Sequence, residues 1–297
     1  MEARRYRRVC QLIDQVSPHG RRARQQYDDG SIVKTYFWST LCDRPVSWAC
    51  DPENWSEDLL LETIGFQLPS QPTMSRRLRS VGALQLIERV QMMLAEALGE
   101  SMVKAIDSKP LIVGNYSKDR DAKRGQAAGG KARGYKLHAI TEGKSFKLWT
   151  LSAMNSNDQT GAVTLLPRLS GWGYLNADNG YDANPVHRQA SAVNHQLVAP
   201  PRRSNAHVRD VKRNCRERIR SLDLCADPLR HCGQPDLFAA SLINGRAQIE
   251  RNFGHAVMNG LFAPPPWVRT PHRVANWAAA KLIQTMMRQV EIAGVRM

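Results

Sequence analysis

Three acids stand where a strand or a helix would hold a carboxylate on a rigid element. Asp107 lies in Lys104-Ala105-Ile106-Asp107-Ser108-Lys109-Pro110, emerging from an otherwise apolar run. Asp178 lies in Asn176-Ala177-Asp178-Asn179-Gly180-Tyr181-Asp182, beside a glycine turn. Glu250 lies in Arg246-Ala247-Gln248-Ile249-Glu250-Arg251-Asn252-Phe253. There Ile249, Phe253 and Ala256 form one apolar helical stripe, and Arg246 and Glu250 share a neighbouring face. Singly, each has an ordinary structural reading: a strand-end turn, an Asx-turn and a helix-surface ion pair. Gathered in one place, three carboxylates repel, and without a cation at least one takes up a proton. Such a cluster makes sense as a site for hard divalent ions, for which magnesium suits an all-oxygen ligand set. Two ions about 3.5 to 4 Å apart neutralise both the attacking and the leaving oxygen of a phosphodiester.

The elements that must position these acids follow from periodicity. Strands are predicted at Val103 to Leu111, Tyr135 to Thr141, Phe146 to Met154, Tyr174 to Ala177 and Gln196 to Ala199. A helix capped by Asp158 should run from about Gln159 to Leu169, and another from about Pro185 to Val193. Three consecutive strands followed by alternating helix and strand indicate an α/β mixed sheet flanked by helices. The first hundred residues read as helical, with Ile32, Val33, Tyr36, Phe37 and Leu41 on one face and Ile87, Val90, Leu94, Ala97 and Leu98 on another. A last helix, Val274 to Ile292, should pack on the core through Val274, Trp277, Leu282 and Met286.

Composition narrows the partner. The 297 residues carry 42 lysines and arginines against 27 acids, a net charge of +15. A surplus of that size points to a polyanion, with nucleic acid foremost. Basic residues concentrate in several places. Arg4, Arg5, Arg7, Arg8, Arg21, Arg22 and Arg24 form an N-terminal phosphate-contacting patch. Residues 56–80 have the outline of a helix-turn-helix, Ser56 and Ser70 starting its two helices and Arg76 and Arg77 on the second, alongside the plainer reading of an αα-hairpin. Residues 118–136 place Lys123, Arg124, Lys131 and Arg133 in a glycine-interrupted hairpin loop suited to a DNA backbone. Gly125 to Lys131 has the spacing of a phosphate-binding P-loop, but Ala132 replaces the magnesium-binding hydroxyl and a strand follows, so nucleotide binding is rejected. A further basic stretch covers 202–220, including Arg202, Arg203, Arg209, Lys212, Arg213, Arg216, Arg218 and Arg220.

Six cysteines show neither a CxxC pair nor a disulfide framework. Cys225, His231 and Cys232 lack the second cluster that a structural zinc site needs. No stretch approaches the roughly 18 apolar residues of a membrane span, and no signal-peptide core follows the basic start. The expectation is a cytoplasmic, nucleoid-associated protein with no membrane partner.

Together, Ala105-Ile106-Asp107-Ser108, Gly134-Tyr135-Lys136-Leu137-His138-Ala139, Ala177-Asp178-Asn179-Gly180-Tyr181-Asp182 and Arg246 with Ile249-Glu250-Arg251-Asn252-Phe253 resemble a bacterial insertion-sequence DDE transposase of the RNase H-like superfamily. The likeness covers about residues 101–290. The subgroup with a Tyr-Arg-Glu-Lys signature places a tyrosine seven residues before the glutamate and a lysine seven after; here those positions are Ile243 and Val257, while Arg246 and Glu250 match.

The resemblance implies an RNase H-like five-stranded mixed sheet over 101–297, with a basic insertion at about 201–240. It implies an α-helical DNA-binding region over residues 1–100. It further implies two Mg2+ or Mn2+ ions, with Asp107 bridging both, Asp178 binding one and Glu250 the other. Arg246 and Arg251 would contact DNA near them. One ion would activate water to nick the element end, and the freed 3′-hydroxyl would attack target DNA. The partners implied are double-stranded element ends and target DNA, with a homodimer when ends are paired. The competing expectation is a non-catalytic DNA-binding protein, either a repressor or an inactivated transposase.

Overall fold

Serines and aspartates ahead of apolar runs set the helix starts in the first part of the chain. Asp28 caps helix Asp29–Leu41, its carboxylate accepting from the Ser31 amide at 2.6 Å. Ser56 and Ser70 occupy the N-cap positions of helices Glu57–Thr63 and Gln71–Arg77, as expected, and Pro72 falls in the first turn of the latter. The computed structural model describes residues 2–17, 26–65, 67–114, 116–127, 129–202, 209–225 and 237–295. Arg21, Arg22, Arg24, Arg203, His231 and Cys232 lie outside the described residues.

The chain divides into two compact units. The first comprises Met1–Leu94 with Trp267–Gln284. Its core joins helix Glu2–Val16 to helix Asp29–Leu41, with Tyr6 packed on Trp38 and Trp55 at ring-centroid distances of 5.1 and 5.5 Å. The last helix, Pro271–Ile292, starts where expected and buries Val274, Trp277, Leu282 and Met286. Its allegiance differs from the expectation: residues through Gln284 belong to this first unit and only those from Thr285 to the second. Specific polar contacts account for the difference. Asn276 Nδ2 donates to the Leu78 carbonyl at 3.1 Å, and Lys281 Nζ reaches the Thr40 carbonyl at 3.0 Å and Asp43 at 2.6 Å.

The second unit, Ala95–Pro266 with Thr285–Met297, is built on one mixed sheet. Its strands are β1 Val103–Ile112, β2 Lys123–Ala127, β3 Gly130–Glu142, β4 Ser145–Ala153, β5 Gly173–Asn176 and β6 His195–Val198. β3 pairs antiparallel with β1, β2 and β4, whereas β5 runs parallel to β1 and to β6. All five expected strands are present, and the sheet has a sixth. The addition is β2, where the sequence suggested only a basic loop; glycines and charges hid a two-stranded hairpin with β3. No phosphate-cradling helix follows Lys131, in keeping with the rejection of a P-loop.

Register in this sheet is pinned by buried charge. Lys104 and Glu142 are cross-strand partners of β1 and β3, 3.1 Å apart and almost wholly buried, and Lys147 adds a second bond to Glu142 at 2.6 Å. A slip of one residue would break this group and turn Asp107 to the opposite face. Helix Asp158–Leu165 covers the sheet through Ala162 and Leu165, which join Ile106, Ile140, Leu175 and Tyr181 in one apolar core. Gly161 permits the close approach: a Cβ there would lie 2.2 Å from the His138 ring. Among the described residues, no helix is long and apolar enough to cross a membrane.

Candidate active site

Asp107 sits in the middle of β1, opposite Ala139 of β3, with its carboxylate accepting from the Ser108 amide at 2.7 Å. β5 lies beside β1 in parallel and ends at Asn176, so the chain leaves the sheet next to β1 and delivers Asp178 to the same end. There Asp178 caps a 3₁₀ turn, Asn179–Tyr181, and accepts from the Gly180 amide at 2.8 Å. A Cβ on residue 180 would stand 2.9 Å from the Asp178 carboxylate, so a glycine keeps the space in front of the acids clear.

The two acids feel each other. Burial, with the charges of Asp178 and Asp158, raises the Asp107 carboxyl to about 6, against the opposing pull of the Ser108 amide and Arg246. Tyr181, fully buried beneath them, is pushed well above its ordinary value by burial and then by the same three carboxylates, which keeps it neutral.

Asp158 is a member of this group that sequence reasoning missed, having assigned it to a helix cap. The cap is Asn157, whose side chain accepts from the Thr160 amide at 2.8 Å. Asp158 is therefore released to accept from Ser108 Oγ at 2.6 Å and from Lys136 Nζ at 3.1 Å. The signal available in the sequence was the Asn157-Asp158 pair: of two adjacent residues able to cap, only one has the cap geometry, and the other is spare.

Glu250 stands apart from the expected cluster. Helix Ala247–Met258 packs through Ile249, Phe253 and Ala256, as the apolar stripe implied, with Phe253 5.7 Å from Phe146 and Asn252 bonded to the Gly143 carbonyl. Glu250 consequently lies on the solvent side, its side chain 61% exposed and 3.6 Å from Arg246. Among the described residues no group of three potential ligands stands within reach of one ion. Asp107 thus lies within range of the charges of Asp178, Asp158 and Arg246.

The second aspartate of the Asp178 block has a structural role. Asp182 is fully buried, bonded to His187 at 3.2 Å and to Arg218 at 2.6 and 2.7 Å. Burial pushes its carboxyl up, but His187 and Arg218 outweigh that and hold it well below the usual carboxylate range. Arg218→Ala should therefore cost about 3 to 5 kcal/mol, because it strands a buried charge. The stability contributed by this carboxylate is complete above its unfolded value near 4 and is lost as pH falls below it. Urea denaturation of the variant and the parent at pH 7 and pH 3 checks both statements; a loss no larger at pH 7 than at pH 3 contradicts them.

The basic residues expected on DNA divide into two sets. Arg76, Lys123, Arg124, Lys131 and Arg251 are exposed. Arg77 instead pairs with Asp29 at 2.7 Å and donates to the Tyr27 carbonyl. Arg133 donates to the carbonyls of Ser117, Asp119 and Ala122, holding that loop, and Lys136 is engaged by Asp158 and Ser156. These three cations are tied to their own chain because each lies on a partly buried surface where an unpaired charge is costly.

No curated protein matches the sequence. Among solved structures, a piggyBac transposase synaptic complex with hairpin DNA aligns over 97% of this chain and 73% of that chain at 12% identity. Its TM-score of 0.47 is too low to carry an argument. A family model described as a transposase DDE domain matches residues 99–259, more than half of the chain, from just before β1 to the end of helix Ala247–Met258. That span contains the acids on β1, after β5 and on the late helix, and the chain belongs to the family of transposases with a DDE domain.

Proposed function

We propose that the protein is the transposase of an insertion sequence, binding the ends of its element and catalysing metal-dependent cleavage and transfer of DNA strands. The observation that carries this reading is the delivery of Asp107 and Asp178 by the neighbouring parallel strands β1 and β5, inside the matched domain. Two carboxylates held together against their own repulsion form an all-oxygen donor set that fits Mg2+ or Mn2+. Asp107 and Asp178 would hold the metal, with Glu250 completing the set from the late helix. When bound, the ions supply charge neutralisation at the attacking and leaving oxygens of the phosphodiester. The chain's own residues then have distinct tasks. Asp158, fixed by Ser108 and Lys136, orients the surface beside Asp107. Tyr181 excludes water beneath the acids, and Arg246 offers a cation to the scissile phosphate.

The exposed cations Arg76, Lys123, Arg124, Lys131 and Arg251 supply phosphate contacts along the duplex. Two paired ends call for two copies of the chain, hence a homodimer during reaction, acting on DNA in the nucleoid. A second reading is a DNA-binding protein without cleavage activity, and the exposed position of Glu250 favours it. Nicking of duplexes carrying the sequences on either side of the gene, tested for terminal inverted repeats, with and without magnesium, separates the two. Metal-dependent nicks at the repeat ends are expected, and binding without nicking supports the second reading.

A further inference from the structure

The first unit contains a groove of about 230 Å³ that the reaction described above leaves unused. Tyr36, Leu78, Trp267 and Val268 line it, and Arg79, His272 and Arg273 stand among them. All of these residues belong to the segments 1–94 and 267–284 of one unit. Trp267 leaves 43% of its surface exposed. No acid is among the described lining residues.

The three basic groups are held close together. Arg79 Nε donates to the Ser75 carbonyl at 3.0 Å, and an Arg273 nitrogen lies 3.5 Å from Ser75 Oγ, so both guanidiniums converge on one residue. His272 is held below its ordinary value by burial and then by the charges of Arg79 and Arg273. Two like charges gathered with no acid among the described lining residues leave an excess of positive potential, which an anion relieves. The adjoining indole and apolar wall suit a flat, weakly polar ring. A volume below that of ordinary drug-sized pockets is too small for a duplex and suits a single unit carrying both a ring and an anion.

We propose that this groove takes one unpaired nucleotide of a DNA strand, with its base against Trp267 and its phosphate between Arg79 and Arg273. The choice of DNA rests on the transposase reading, while the site itself rests on the lining. Stacking a base on an aromatic side chain is tolerant of sequence, so the groove would recognise an unpaired end irrespective of which base it carries.

Fluorescence anisotropy with two labelled duplexes tests this, one blunt and one identical but for a short single-stranded thymidine overhang. The wild-type chain should bind the overhang duplex more tightly. Trp267→Ala should weaken overhang binding by about 5- to 150-fold and change blunt binding less than about twofold. Trp267→Phe should restore most of the difference and serves as the arm that decides if the alanine variant unfolds. Arg79→Ala with Arg273→Ala should lower overhang affinity and reduce its log affinity–log salt slope by about 0.7, the equivalent of the one single-strand phosphate contact. Equal losses on both duplexes would reduce the groove to a general phosphate patch, and unchanged affinities or a wild-type chain indifferent to the overhang would overturn the proposal. Cleavage of the duplex by the wild-type chain is scored separately. Loss of cleavage with overhang preference intact counts against the transposase reading alone.

Discussion

Replacing Asp107 or Asp178 by asparagine is expected to lower magnesium-dependent strand cleavage by at least about 10³-fold while leaving affinity for DNA within about threefold. The reasoning is local. Asparagine keeps the shape of the site and its bonds to the Ser108 and Gly180 amides, so the fold has no cause to change. What disappears is a negative charge from a pair whose proximity only a cation rewards. DNA affinity survives because the exposed arginines and lysines are untouched. Under the proposed ligand set Glu250→Gln is expected to fall in the same class, and retained activity there would remove Glu250 from the site. Asp158→Asn is expected to be milder, about 10- to 100-fold, as for a group that orients ligands without binding the ion. Single-turnover cleavage of a labelled duplex distinguishes these classes, and wild-type rates in the Asp107 or Asp178 variant would dismiss the site.

DNA binding is expected to fall by about 10³ to 10⁵ in affinity between 50 and 200 mM salt, with some 6 to 10 phosphates neutralised. A net charge of +15 supports a contact number of that order. The structure alters which residues supply it. Arg77, Arg133, Lys136 and Arg218 are bound within the protein, so their replacement should act on stability more than on the salt slope. Arg76, Lys123, Arg124, Lys131 and Arg251 remain on the surface, and each should lower the slope by about 1 when replaced by alanine. A flat salt dependence would mean that the basic runs are solvated faces.

Much of this organisation was legible in the residues because it rests on short-range patterns. The five expected strands and the stripe Ile249, Phe253 and Ala256 follow from periods of 2 and 3.6. What the pattern missed depends on tertiary placement. The hairpin Lys123–Ala127 lacks the alternation of an apolar strand because its side chains are mostly exposed. The division of helix Pro271–Ile292 between two units turns on individual bonds from Asn276 and Lys281, which no hydropathy period encodes. The candidate site divides the same way. Asp107 and Asp178 are brought together by parallel pairing of β1 and β5, whereas Asp158 enters because its neighbour Asn157 takes the cap. Charge counting found the basic segments but not the arginines that spend their charge internally.

The most direct test of the central claim is a strand-transfer assay with a pre-nicked duplex bearing the sequences on either side of the gene, a supercoiled target plasmid and magnesium. Joined product sequenced across the junction should show the 3′ end of the element covalently attached to target DNA, and the product should vanish with EDTA or in Asp107→Asn. Joining that persists at wild-type level in Asp107→Asn, or bound DNA that is never cut or joined at any magnesium concentration, would contradict the account.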